Sequence, residues 1–348
     1  MTNPPPDPRA PLPAGLGAPF APLYRLAVAR RNRRFDRGVD VRRAMAPVVS
    51  VGNLSVGGAG KTPMVRHIVE ALRLAGRRPG IVLRGYKSRG GTSDEEAEHR
   101  AALPGVPVVA NPDRYRAVAD LIARSKGPRI DCVVLDDGFQ HRRLAREVDI
   151  VLIDATRDPW EDALLPAGWL REPVSSLARA TAVVITHAES VAPSAIEALR
   201  KRIEIAHGKP PIAVCAHEWF ALRIFDGRVD AEVGLDWLEG KRVVATCAIA
   251  RPRPFLNALR DARTTVVSSL PLRDHAAYGP GRVRRLIEMA ESAGADAIVC
   301  TEKDWMKLRR HPADAWPCPV VRPGVRHVFL EGAEALDAHV VEGVGGRK

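Results

Sequence analysis

The feature that most constrains this chain is the run Gly52-Asn53-Leu54-Ser55-Val56-Gly57-Gly58-Ala59-Gly60-Lys61-Thr62-Pro63. It follows the apolar stretch Val48-Val49-Ser50-Val51 and precedes Val65, Ile68, Val69 and Leu72, which recur at helical spacing until Gly76 stops them. Strand, glycine-rich loop and helix in that order make an anion site, because glycines let backbone N–H groups converge and the helix N-terminus adds a positive dipole. The backbone of Ser55, Val56, Gly57, Gly58, Ala59 and Gly60 would cradle phosphates, Lys61 would neutralise the β and γ phosphates, and the Thr62 hydroxyl would ligate Mg²⁺. A phosphorylated nucleotide with Mg²⁺ is therefore the expected ligand pair. Pro63 suits a first helical turn, where its missing N–H costs nothing. The general phosphate-loop pattern has glycine where this chain has Ser55.

Apolar runs at residues 80–83, 106–109, 130–135, 148–153 and 182–186 alternate with helical stretches such as 114–123, which predicts a doubly wound α/β sheet of the phosphate-loop NTPase type. From about residue 212 the pattern turns β-rich, with a hairpin signal at Asp226-Gly227. A second, smaller α/β series follows, with strands expected at 242–247, 265–268 and 296–300 and helices near 254–259 and at 280–292. The expected organisation is a Pro-rich tail and basic amphipathic segment (1–43), a phosphate-loop domain (44–211), a β-rich linker (212–238) and a smaller C-terminal α/β domain (239–348).

Charge narrows the partners. The 348 residues hold 53 Lys plus Arg against 41 Asp plus Glu, a net +12. Residues 1–43 contain nine Arg and three Asp, so half of the excess sits there. A moderately apolar stretch from Leu16 to Val28 runs straight into Arg30, Arg31, Arg33 and Arg34, a pattern suited to a helix lying on an anionic membrane or to a surface helix with a basic end. No secretory signal is visible in the first 22 residues, which contain eight Pro, and no window is long and apolar enough for a transmembrane helix. A nucleic-acid binder is disfavoured, since aromatics are only 5% and no helix-turn-helix or RNA-binding signature occurs. The five Cys show no zinc spacing and read as buried reduced thiols. Oligomeric state is not legible in the sequence.

Several further segments carry chemistry. An apolar strand ending in Asp136-Asp137, followed by Gln140-His141, brings carboxylates to the sheet edge beside a phosphate loop, where a nucleotide-bound Mg²⁺ needs an oxygen ligand. Neighbours on a strand point oppositely, so either Asp can face the metal while the other meets the acceptor or a basic partner. Asp94-Glu95-Glu96 reads as a polar loop in which a carboxylate could act on a hydroxyl. Arg171-Glu172 could reach phosphate and metal or form a structural ion pair. Asp274-His275 could orient an imidazole, and Thr301-Glu302-Lys303-Asp304 closes a strand.

Taken in order, these segments resemble the tetraacyldisaccharide 4'-kinase family. The motifs are VGNLSVGGAGKTP (51–63), RGY (84–86), DDGFQH (136–141), LLPAGWLREP (164–173), AIARP (248–252), DHAAY (274–278) and TEKD (301–304), across roughly residues 20–330. The hydroxyl residue at 55 is usual in that family. The resemblance implies transfer of the ATP γ-phosphate to the 4'-hydroxyl of an acylated disaccharide 1-phosphate lipid, giving lipid IVA, by an enzyme peripheral or monotopic at the cytoplasmic face of the inner membrane. It implies catalytic roles for Asp94, as base or orienting group, and for His275, Lys61 and Asp137. Gln140, His141 and Arg171 would join the loop in holding nucleotide, and Thr62, Asp136 and Glu172 would serve the metal. The alternative is a partition- or maturation-type switch ATPase. Those commonly carry a further Lys early in the loop, where this chain has Ser55-Val56.

Overall fold

The computed structural model describes residues 14–85, 93–124, 129–249, 252–273 and 276–346. Its described residues fall into two compact units, one made of 14–217 and 327–346 and the other of 218–326.

The larger unit is built on β1 (Val48–Asn53), β2 (Pro79–Leu83), β3 (Val108–Ala110), β4 (Cys132–Asp136), β5 (Val148–Asp154), β6 (Ala182–Thr186) and the start of β7 (Ala213–Phe225). They lie in the order β7-β6-β5-β1-β4-β2-β3, and every neighbouring pair is parallel. All six residues of β1 are buried, as expected of a Val-rich strand covered on both faces. In register, Val51 of β1 sits beside Asp136 of β4 and Ile150 of β5. The chain order reverses around β1, so its carboxyl end opens on the crevice where doubly wound sheets bind ligands.

Helix Lys61–Leu74 buries Met64, Val65, Ile68, Val69 and Leu72 against this sheet, the stripe that the spacing predicts. Each such side chain contributes about 1.5–3 kcal/mol on leaving water. Leu336, Val340 and Val344 of the C-terminal helix Ala333–Gly345 complete the same core, a partnership that no local pattern announced. The opposite face packs through Phe139, Leu170, Leu177, Leu199 and Ile203.

The N-terminal apolar segment is helical, in three pieces at Ala14–Gly17, Ala18–Phe20 and Ala21–Asp36. The last piece runs through the Arg cluster and buries only Val28.

The smaller unit begins within β7, whose end pairs antiparallel with β8 (Asp230–Val233). Asp226 makes the intervening turn by accepting the N–H groups of Arg228 and Val229 on Oδ1, each at 2.8 Å. It continues with β9 (Arg242–Cys247), β10 (Thr265–Pro271), β11 (Ala297–Val299) and the first part of β12 (Val320–Glu331), in the parallel order β10-β9-β11-β12. Helices Pro252–Asp261, Pro280–Ser292 and Glu302–Leu308 flank it. The TEKD segment is a helix start: Thr301 caps through its hydroxyl, and buried Asp304 accepts from Ala248 N–H at 2.9 Å. Cys132, Cys215, Cys247 and Cys300 are buried free thiols and Cys318 is a half-buried one.

Candidate active site

The glycine-rich loop leaves β1 and enters helix Lys61–Leu74 with φ +125° at Gly57 and φ +78° at Gly60, values that favour glycine. At Gly60 space excludes a side chain as well, since a Cβ would lie 2.5 Å from His217 Nε2. The loop's entry is strapped to the LLPAGWLREP segment. Ser55 bridges to Leu170, Val56 N–H donates to Trp169 C=O at 2.8 Å, and Arg171 N–H donates to Leu54 C=O at 2.8 Å. Ser55 is not among the positive-φ residues, which explains why this position needs no glycine here. The Thr186 hydroxyl donates to Ala59 C=O at 3.1 Å, holding the loop from the β6 side.

Lys61 lies along the loop. Its Nζ donates to Asn53 Oδ1 (3.3 Å) and Gly57 C=O (3.4 Å) and pairs with Asp137 Oδ1 at 3.4 Å. Arg171 Nη1 donates to both oxygens of Asp137, at 3.0 and 2.8 Å, and to Gln140 Oε1 at 3.3 Å. Gln140 Nε2 in turn donates to Asn53 C=O at 2.8 Å. Burial opposes ionisation of Asp137, but the Lys61 and Arg171 charges outweigh it and hold the carboxyl well below its ordinary range. The cluster is thus two cations around one carboxylate at the mouth of a phosphate loop. Thr62 follows Lys61 in the first helical turn, half-buried.

Asp136 ends β4 nearly buried and pairs its Oδ2 with Nε2 of fully buried His99 at 2.9 Å. The two adjacent carboxylates therefore have different partners, an imidazole for one and two cations for the other. Buried Arg114 donates to Asn111 C=O at 3.1 Å, and burial pulls its pKa down to about 10 against the opposing pull of Asp137 and Asp136. His141 is held neutral, because burial and the Arg114 and Arg146 charges lower its pKa to about 4.

Asp94-Glu95-Glu96 is not a loop. It opens helix Asp94–Ala102, for which Ser93 is the N-cap, its hydroxyl accepting from Glu96 N–H at 3.2 Å. The Ser93-x-x-Glu96 spacing is a capping signature, and carboxylates in a first turn face the positive end of the helix dipole. Asp94 is the first residue of that helix, and its side chain lies outside the described residues. His275, with Asp274, lies outside them too.

Glu172 is fully buried, and its carboxylate is shared by three groups. Arg31 Nη2 donates to Oε1 at 2.7 Å, while Asn32 Nδ2 (3.1 Å) and Arg179 Nη1 (2.9 Å) meet Oε2. Tyr24 donates its hydroxyl to Arg171 C=O at 3.0 Å. The basic N-terminal helix is thereby fastened to the strap that backs the phosphate loop.

Asn53, His99, Arg114 and the Arg31-Asn32-Arg179 clamp were not singled out from the sequence. Asn53 lies inside the loop motif and was findable there. The others sit on separate elements and reveal themselves only on folding.

Over residues 14–340 the sequence matches the family model described as LpxK, tetraacyldisaccharide-1-P 4'-kinase. It is 37% identical over 350 residues to the tetraacyldisaccharide 4'-kinase of Anaeromyxobacter sp. (strain K), covering 94% of this chain and 91% of that one. With the corresponding protein of Geobacter sulfurreducens it is 36% identical over 317 residues, 85% of each chain. The fold is similar to the crystal structure of LpxK from Aquifex aeolicus in complex with ATP, at TM-score 0.70 and 28% identity, over 94% of this chain and 98% of that chain.

Proposed function

This chain belongs to the tetraacyldisaccharide-1-P 4'-kinase family, and from that premise we propose how its residues divide the work of the reaction. The enzyme is an ATP-dependent kinase of lipid A biosynthesis that phosphorylates the 4'-hydroxyl of its disaccharide substrate. The switch-ATPase alternative is not favoured. The observation that carries the residue assignment is the cluster of Lys61 and Arg171 around Asp137 at the loop mouth.

That cluster fits a triphosphate. The first turn of the helix leaves backbone N–H groups without intrahelical partners, a Cβ at Gly58 would meet nothing within 4 Å, and Lys61 and Arg171 are partly exposed cations. Asp137 stores both cations in place and releases them toward phosphate oxygens, while Gln140 keeps Arg171 aligned with Asn53. Thr62 and Asp136 would hold Mg²⁺, Asp136 being oriented by His99 as a carboxylate ligand is by its outer partner. Bound there, Mg²⁺ would spread the charge that builds on the transferring phosphoryl group. Glu172 has its oxygens committed to two Arg and one Asn, which supports a role in positioning Arg171 through the strap. Neutral His141 is suited to hydrogen-bonding the nucleotide without adding charge. For the acceptor, we assign Asp94 to the 4'-hydroxyl proton and His275 to its support, on the Asp94-Glu95-Glu96 segment and the DHAAY motif. Phosphorylation of the acylated disaccharide 1-phosphate with ATP tests this. Asp94→Ala and His275→Ala are each expected to lower kcat by about 100-fold with little change in KM for ATP. A full-rate Asp94→Ala enzyme would sink the assignment.

We also assign the N-terminal helix to an anionic membrane, at the cytoplasmic face of the inner membrane where an acylated acceptor can be met. Leu16, Phe20, Leu23 and Leu26 are 56–66% exposed, and they share the segment with exposed Arg25, Arg30, Arg33 and Arg34. Apolar side chains beside Arg suit a helix lying in the membrane interface. Among the described residues no helix is long and apolar enough to cross a membrane. Cosedimentation with anionic vesicles should drop about 10-fold or more for Leu23→Asp with Leu26→Asp. Unchanged binding would make this an ordinary surface helix.

A further inference from the structure

The turn after β6 and the strand β7 bring together three donor groups that the reading above leaves unused. His187, Glu189 and His217 offer one ligand atom each, and these atoms all lie within 4.8 Å of one another. His187 Nδ1 is 2.8 Å from His217 Nδ1 and 3.4 Å from Glu189 Oε1. The two imidazole centroids are 3.8 Å apart.

The surroundings fix how these groups are held. His187 Nε2 lies 3.3 Å from Gly58 C=O, an acceptor that fixes the proton on Nε2 and leaves the Nδ1 lone pair directed at His217 and Glu189. Such an outer hydrogen bond is the usual way a ligating histidine has its tautomer set. The His187 backbone is held at φ +59°, a conformation that costs a non-glycine residue about 1 kcal/mol or more and is kept only where the surrounding fold enforces it. Glu189 Oε2 accepts His217 N–H at 3.0 Å, which leaves Oε1 facing His187.

We propose that His187, Glu189 and His217 bind one transition-metal dication of the zinc class. Two imidazole nitrogens and one carboxylate oxygen, with a fourth position open to water, are a donor set that zinc takes and Mg²⁺ does not. Without metal, His217 Nδ1–H donates to the His187 Nδ1 lone pair; zinc takes both Nδ1 lone pairs once His217 carries its proton on Nε2 instead, by exchange with water. The nitrogens then separate to ~3.3 Å, the spacing of two ligands at tetrahedral zinc, a shift of about half an ångström that side-chain rotation supplies. The ion would tie the β6 turn to β7 directly beside Gly58 and Gly60.

The full-length protein, stripped with chelator and dialysed, is titrated with Zn²⁺ by calorimetry in the absence of ATP and Mg²⁺. Co²⁺ is added separately to read its ligand-field absorption. One Zn²⁺ per chain and a four-coordinate Co²⁺ spectrum are expected, with affinity ~100-fold weaker in His187→Ala, His217→Ala and Glu189→Gln. Zn²⁺ should raise the melting temperature of the wild type and not of these variants. His207→Asn, at the end of a separate helix, should bind as the wild type does. Where an alanine variant melts early without metal, Glu189→Gln carries the test, because it keeps the side chain's size. Equal binding by wild type and all variants would overturn the proposal, and so would wild-type affinity weaker than about 1 mM.

Discussion

Lys61→Ala is expected to lower kcat/KM for the phosphorylation of the disaccharide by about 1,000-fold, the scale on which a preorganised charge at a transition state acts. The residue is not part of the core. Its ammonium rests on Asn53 Oδ1, Gly57 C=O and Asp137, so truncation removes a charge aimed at the loop mouth without opening a cavity. Asp137 keeps its bonds from Arg171, which limits the damage to the ground state. The melting temperature should therefore change little while turnover collapses. Steady-state phosphorylation and a thermal melt on the same preparation check both halves. A loss smaller than about 3-fold would remove Lys61 from phosphate contact, given that one such charge is worth much more.

The opposite separation is expected at Glu172. Removing this carboxylate by Glu172→Ala leaves Arg179 and Arg31 facing each other across a buried gap and should cost about 3 kcal/mol, the low end for breaking a buried ion pair because Arg31 retains solvent access. Arg179 also lies over the Phe139 ring, 3.4 Å from its centroid, and donates to Phe139 C=O, so the strain reaches the strand-end segment that carries Asp137 and Gln140. Chemical denaturation gives the stability change, and the Mg²⁺ dependence of turnover gives the contrast. An unchanged midpoint with a shifted Mg²⁺ requirement would return Glu172 to the metal, the role its family motif suggests.

These two residues mark how far the sequence could be read. Lys61 was legible because loop, lysine and helix start are consecutive, and backbone conformation over a few residues follows from glycine placement and helix spacing. Asp136 and Asp137 were legible as a pair at a strand end, but their unlike partners were not. His99 reaches Asp136 from the helix Asp94–Ala102, whose carboxylate-rich start reads as a polar loop in the sequence. The clamp on Glu172 joins residues 140 and 141 positions apart, and nothing near Glu172 in the chain names Arg31 or Asn32. The same holds for His187 and His217, 30 positions apart and met only where the end of β6 lies beside the first residues of β7.

By itself the sequence determined the parallel α/β sheet, the phosphate loop, the expectation of ATP with Mg²⁺, and a basic N-terminus. Each of these is a local matter, settled by hydrophobic period, by glycine at left-handed positions and by the count of charges. Tertiary structure alone decided which cation faces which carboxylate, that Ser55 bridges to Leu170, and that the N-terminal helix is fastened to Glu172. Those outcomes rest on contacts between distant segments, whose free energy depends on packing and desolvation that exist only once the sheet has formed.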